Sequence, residues 1–126
     1  MLKTRFKYFN LREFDSKGAN DPPGTGHFMD LGFVDLLDTA RCIAGIPFKI
    51  NSGFRTVAHN KAVGGVPKSS HTLGYAADIA CTDSRSRFLI VNALLKVGIN
   101  RIIIYPTFIH CDVDPSKSAN ILIINS

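Results

Sequence analysis

Ser69-Ser70-His71-Thr72-Leu73-Gly74-Tyr75-Ala76-Ala77-Asp78 leads from a loop that holds a histidine into an apolar run that holds an aspartate. Residues 75–81 have the composition of a buried strand, and a carboxylate inside such a strand is unfavourable unless a charged group lies beside it. A metal ion would be that group. Gly74 permits a turn that brings the loop histidine back over the strand carboxylate. A second histidine, His110, follows in Phe108-Ile109-His110-Cys111-Asp112, on a stretch that reads as a neighbouring strand. Two imidazoles and one carboxylate make three protein ligands, the number with which a catalytic zinc keeps its fourth position for water. The pattern points to a metallohydrolase.

Upstream, the loop 64–70 is preceded by a short helix expected at residues 57–63. Before it come a turn at Ser52-Gly53 and a short strand at Pro47-Phe48-Lys49-Ile50-Asn51. Asp30 stands as the N-cap of a helix over 31–44, in which Leu31, Val34, Leu37, Asp38 and Arg41 recur at helical spacing, and Gly45 ends it. Residues 10–27 read as irregular, because Asp15-Ser16-Lys17-Gly18 and Asn20-Asp21-Pro22-Pro23-Gly24-Thr25-Gly26 are turn chemistry.

Downstream, Asp83 or Ser84 caps a third helix that runs to about residue 97, with Phe88, Val91, Leu94 and Leu95 on one face and Gly98 as its stop. Strands are expected at 101–105, 108–113 and 120–124, with turns at Pro106-Thr107 and Asp114-Pro115-Ser116-Lys117. Helices come early and strands dominate the end. The expected fold is therefore α+β, with a mostly antiparallel sheet packed against helices. At 126 residues, 45% of them apolar, the chain is long enough to close one hydrophobic core, and residues 1–126 are read as a single domain.

The net charge is +5, yet Lys and Arg are scattered from Lys3 to Lys117 rather than gathered into a stripe. Such a balance suits a polyanionic partner, either nucleic acid or an anionic bacterial wall, without choosing between them. A nucleic-acid-binding reading rests on charge alone, since no reading helix, aromatic platform or zinc-finger spacing accompanies it. Cys42, Cys81 and Cys111 cannot all pair within one chain and none has a CxxC spacing, so reduced, buried thiols are expected. The segment Met1-Leu2-Lys3-Thr4-Arg5-Phe6-Lys7-Tyr8-Phe9-Asn10 is basic but has no apolar run behind it, so no secretory signal is expected. No stretch approaches the roughly 20 apolar residues of a membrane helix. Synthesis in a cytoplasm follows, with some other route to any extracytoplasmic target.

A zinc with three such ligands, at bonds of roughly 2.0–2.2 Å, lowers the pKa of a water from about 15.7 toward about 7 and polarises a carbonyl oxygen. Both effects favour amide hydrolysis. Most histidines are surface or hydrogen-bonded residues rather than ligands, and His27, in a turn-rich loop, and His59, on a polar helix, are read that way.

Ser-x-His-x-x-Gly-x-Ala-x-Asp, followed by a strand ending Phe-Ile-His-Cys-Asp, resembles the zinc D-Ala-D-Ala carboxypeptidase family, family fifteen of the metallopeptidases. Its members cut the peptides of bacterial cell walls as DD-carboxypeptidases, dipeptidases and phage endolysins. Ile50-Asn51-Ser52-Gly53-Phe54-Arg55-Thr56, then His59-Asn60 and Val63-Gly64-Gly65, extend the likeness to the small phage and prophage members, so that it spans about residues 46–114. The resemblance implies a hedgehog/DD-peptidase-like fold. It makes His71, Asp78 and His110 the ligands of one zinc ion per chain, and Arg55 the residue that binds a substrate carbonyl or carboxylate and steadies the oxyanion. It also implies a peptidoglycan peptide as partner, with action on the cell wall.

One position departs from that pattern. Many members carry an acidic residue or histidine three residues before the last ligand, where this chain has Thr107, whose hydroxyl is no base near neutral pH. Asp112 is two residues beyond His110 on the same strand face. It is placed either to act as the general base or to accept the other N–H of a ligand histidine. Ser69 is placed with Arg55 on the substrate-binding side, where its hydroxyl buttresses the loop and does not attack. Loss of the usual base also leaves open a zinc-containing wall-binding module that has lost catalysis.

Overall fold

A computed structural model of the chain describes residues 6–125. Residues 1–5, where the segment read as lacking a secretory signal begins, and residue 126 lie outside the described residues. Among the described residues three α-helices, α1 (Leu31–Ala44), α2 (Val57–Ala62) and α3 (Ser84–Lys96), accompany five strands, β1 (Ile50–Ser52), β2 (Ala76–Ala80), β3 (Arg101–Ile104), β4 (Phe108–Asp112) and β5 (Ile121–Ile124). The strands form one sheet in the order β1-β2-β4-β3-β5. The first three pairings are antiparallel and β3–β5 is parallel, so the fold is α+β with a mixed, mainly antiparallel sheet.

Local chemistry places the helix ends. The Asp30 carboxylate accepts the Phe33 N–H at 2.9 Å, and Gly45, at φ 71°, ends α1 in the left-handed conformation that favours glycine. Asp83 caps α3 by accepting the Ser86 N–H at 2.9 Å. Thr56 caps α2 through the His59 N–H at 3.1 Å.

The register assigns the two faces of the sheet. Ala77, Ile79, Ile109, Cys111 and Ile102 project into a core shared with Phe33, Val34 and Leu37 of α1 and Ile90 and Leu94 of α3. Alternation sends the intervening residues to the opposite face. There Asp78, His110 and Ile103 form one cross-strand row, and Asp112 pairs with Arg101 in the next. The candidate site therefore stands on the sheet face turned away from the core.

Four expectations need correction. The buried stripe of α3 is Ile90, Ala93 and Leu94, whereas Phe88 and Leu95 are 69% and 50% exposed. The helix carries two apolar stripes, and contact with α1 and the sheet selects the one with smaller side chains. β1 starts only at Ile50, with Phe48 buried in the core before it. Within residues 10–27, Leu11–Phe14 and Thr25–Phe28 form short 3-10 helices, the first closed by a reciprocal cap between Asn10 and Glu13. Cys42 is exposed, near the Tyr8 hydroxyl at 3.7 Å, while Cys81 and Cys111 are the buried free thiols.

Candidate metal centre

His71 sits in a tight turn between α2 and β2, in which the Thr72 N–H donates to the Ser69 carbonyl and the Gly74 N–H to that of His71. Gly74, at φ 77°, completes the reversal, and a Cβ there would strike the Phe28 carbonyl. The Ser69 hydroxyl accepts the His71 backbone N–H at 3.2 Å. The imidazole Nδ1 lies 2.8 Å from the Gly53 carbonyl oxygen. Because a carbonyl only accepts, Nδ1 carries the proton and the lone pair of Nε2 faces inward.

His110 reaches the same point from β4. Its Nε2 lies 2.8 Å from Asp112 Oδ2, which fixes a proton there and turns the Nδ1 lone pair toward Asp78 Oδ1 at 2.9 Å. His71 Nε2 approaches that same oxygen at 3.3 Å. The three side chains place one ligand atom each within 4.8 Å of one another. Tetrahedral bonds of about 2.1 Å would set ligand atoms about 3.4 Å apart.

The donor set fits a metal ion on these grounds. Both imidazoles have the outward nitrogen tied to an acceptor and the inward nitrogen aimed at a buried carboxylate oxygen. Neutral rings in those tautomers bring acceptor against acceptor, and a positive charge between them removes the repulsion. The protonation tendencies express the same demand. Burial by itself would raise the Asp78 pKa, but when protons occupy the inward nitrogens in a metal ion's stead, the hydrogen bonds and charge of His110 and His71 hold it well below the usual carboxylate range. Burial would lower that of His110, but its bonds to Asp112 and Asp78 outweigh burial and raise it.

Arg55 lies where a guanidinium can serve this centre. Its Nε donates to Ser52 Oγ at 3.1 Å and its Nη1 to Asn60 Oδ1 at 3.2 Å, while Nη2 stands 3.7 Å from Asp78 Oδ2. Its backbone N–H donates to the His71 carbonyl. The loop before α1 secures the next residue: Ser16 Oγ accepts the Thr56 N–H and Asp21 accepts the Thr56 hydroxyl. Arg55, His71, Asp78, His110 and Ser69 line one cleft of about 380 Å³, with the stacked rings of Tyr105 and Phe108, 4.3 Å apart, also on its wall.

Asp112 is 1% exposed. Besides His110, its Oδ2 accepts from Arg101 Nε at 3.2 Å, and its Oδ1 accepts the Asp114 N–H at 3.2 Å. Thr107 is exposed in the turn between β3 and β4. His27 packs on the ring of Phe28, His59 belongs to α2, and neither joins a metal-type cluster among the described residues.

Sequence reading missed the Gly53 carbonyl, Arg101, Lys117 and Tyr105. Arg101 faces Asp112 only through the β3–β4 register, which no local motif records. Gly53 held a weak signal: a Cβ there would fall 2.7 Å from Phe14 Cα, so only glycine admits this close approach.

Among the described residues no helix is long and apolar enough to cross a membrane. Comparison with curated proteins gives no match. The profile of the family described as Peptidase M15 matches residues 6–112, a segment that contains all three residues of the metal-type cluster. The match spans well over half of the chain, which belongs to the Peptidase M15 family and thereby to the metallopeptidases.

Proposed function

We propose that the chain is a zinc-dependent peptidase that hydrolyses peptide bonds in bacterial peptidoglycan stem peptides, either as a D-Ala-D-Ala carboxypeptidase or as an endolysin-type endopeptidase. The observation that supports it most is the convergence of His71 Nε2, Asp78 Oδ1 and His110 Nδ1 in a cleft beside an arginine. When bound by these three residues, zinc would supply Lewis-acid polarisation of the scissile carbonyl and a water acidified toward neutral pH. The net charge of +5 suits residence near an anionic wall. A phage or prophage product, reaching the wall by holin release, virion carriage or lysis, fits such a substrate.

The protein's own groups divide the remaining work. Arg55, held from three sides, presents a permanently charged guanidinium to the carbonyl or carboxylate of the peptide and to the oxyanion that develops during attack. Gly53 and Asp112 hold the two imidazoles in the tautomers that leave their inward lone pairs free. Both Asp112 oxygens are engaged, which supports an orienting role for this carboxylate over that of general base. Ser69 keeps the His71 turn closed.

That engagement also supports a second reading, a zinc-containing cell-wall-binding module that retains peptides uncut. Elemental analysis of the purified protein, with mass spectrometry of muropeptides incubated with and without chelator, separates the two. One zinc per chain and chelator-sensitive cleavage is the expected result. Zinc without cleavage favours the binding module, and absence of stoichiometric metal overturns both.

A further inference from the structure

Arg101, from β3, and Lys117, from the loop after β4, line the metal-bearing cleft and also an adjoining cavity of about 290 Å³. They stand at the boundary between the two spaces. Each cation is anchored by one part and open at another. Arg101 donates through Nε to Asp112 and through Nη1 to the Ser118 carbonyl at 3.0 Å, leaving Nη2 without a partner among the described residues. Lys117 Nζ donates to Ser70 Oγ at 2.7 Å and stays 3.7 Å from Asp114 Oδ2, and an ammonium has three protons to give.

The matching carboxylates are withdrawn. Asp112 and Asp114 are 1% and 4% exposed, and Asp114 is already bonded by the hydroxyls of Ser70 and Ser116 and the Ser116 N–H. The cationic side chains keep 20% and 31% of their surface open. Buried anions behind partly open cations present a positive wall to the cleft. Lys117 lies beyond residues 6–112, so the family match does not carry this pair.

We infer that Arg101 and Lys117 form a carboxylate-binding subsite, which selects peptides with a free carboxylate close to the scissile bond. The inference rests on the peptidase reading above and names its substrate class. The carboxylate comes either from the chain terminus, as in carboxypeptidase action, or from an acidic side chain. Loss of one charge-assisted hydrogen bond weakens binding by about tenfold to a hundredfold.

The test uses the zinc-loaded full chain and calorimetric binding of synthetic stem peptides, with cleavage followed in parallel. One peptide pair differs by a C-terminal acid or amide, the other by a Glu or Gln side chain beside the D-Ala residues. In the wild type, the acid member of one pair should bind at least about tenfold tighter than its amide. Lys117→Met should remove that preference without changing amide binding or zinc content, and Lys117→Arg should restore it. A preference within the first pair names the terminal carboxylate as the source, and one within the second names the side chain. Equal binding of acid and amide in both pairs, or equal loss on acid and amide in Lys117→Met, overturns the subsite. Absence of an acid preference in the wild type overturns the subsite whether or not the variant folds, and a preference that survives in Lys117→Met assigns the carboxylate to Arg55 and overturns it too. Carboxylate-dependent binding without cleavage retains the subsite and rejects the peptidase reading, whereas chelator-sensitive cleavage without acid preference does the reverse.

Discussion

Asp112 accepts the Nε2–H of His110 at 2.8 Å while Nδ1 of the same ring points at Asp78, so one carboxylate determines which nitrogen is free to meet a metal ion. Asp112→Asn can present either an amide oxygen or an amide N–H to that ring, and it also weakens the pairing with Arg101. Loss of such an outer partner typically lowers metal affinity about 10- to 100-fold. Competition with a chromophoric chelator should show that loss, while the turnover number at saturating zinc stays within a few-fold of wild type. Full zinc affinity with a turnover number reduced by a hundredfold or more would instead make Asp112 the general base.

Arg55→Lys separates catalysis from metal binding. Lysine retains the charge but cannot reproduce the fork that reaches Ser52 and Asn60 while facing Asp78. Zinc content should remain at one per chain, and kcat should fall by about a hundredfold to a thousandfold. His71→Ala, by contrast, should abolish both zinc binding and hydrolysis. Retained zinc and unchanged cleavage in His71→Ala would reject the ligand set.

Gly53→Ala probes the support of His71 from behind. The added methyl would lie 2.7 Å from Phe14 Cα and Cβ, and Phe14 is fully buried. The segment just after β1 must move away, with a stability loss of about 1–3 kcal/mol, and the Gly53 carbonyl moves with it. Thermal unfolding with and without zinc should show a lower midpoint in both states and a smaller gain from the metal. An unchanged gain would mean that this carbonyl does not orient the ligand.

Asp114 provides a pH signature away from the metal cluster. Burial would raise its pKa, but hydrogen bonds from Ser116 and Ser70 and the charge of Lys117 outweigh burial and lower it. A carboxyl lowered on folding stabilises the protein fully above its ordinary value of about 3.9, and that contribution fades as pH falls through the lower folded value. Asp114→Asn should therefore show a constant stability deficit above about pH 5, narrowing on further acidification. Denaturant midpoints across that range check it, and a deficit that does not change with pH would show that the loss comes from packing alone.

The sequence by itself determined the features whose causes are local. Asp30 and Asp83 each cap a helix by reaching three residues ahead, and Gly45 stops one by its own backbone freedom. A histidine loop entering an apolar strand with an aspartate inside it named His71 and Asp78, because burying that carboxylate demands a nearby positive charge. Tertiary structure decided what depends on partners distant in sequence. It chose the Ile90-Ala93-Leu94 stripe of α3 over that of Phe88, laid β5 parallel to β3, and set Arg101 opposite Asp112. It also carried the Gly53 carbonyl to His71 and Lys117 to Ser70. Periodicity and capping act within one or two turns of chain, whereas strand register and the choice between two apolar stripes are settled only when the whole sheet and its helices pack together.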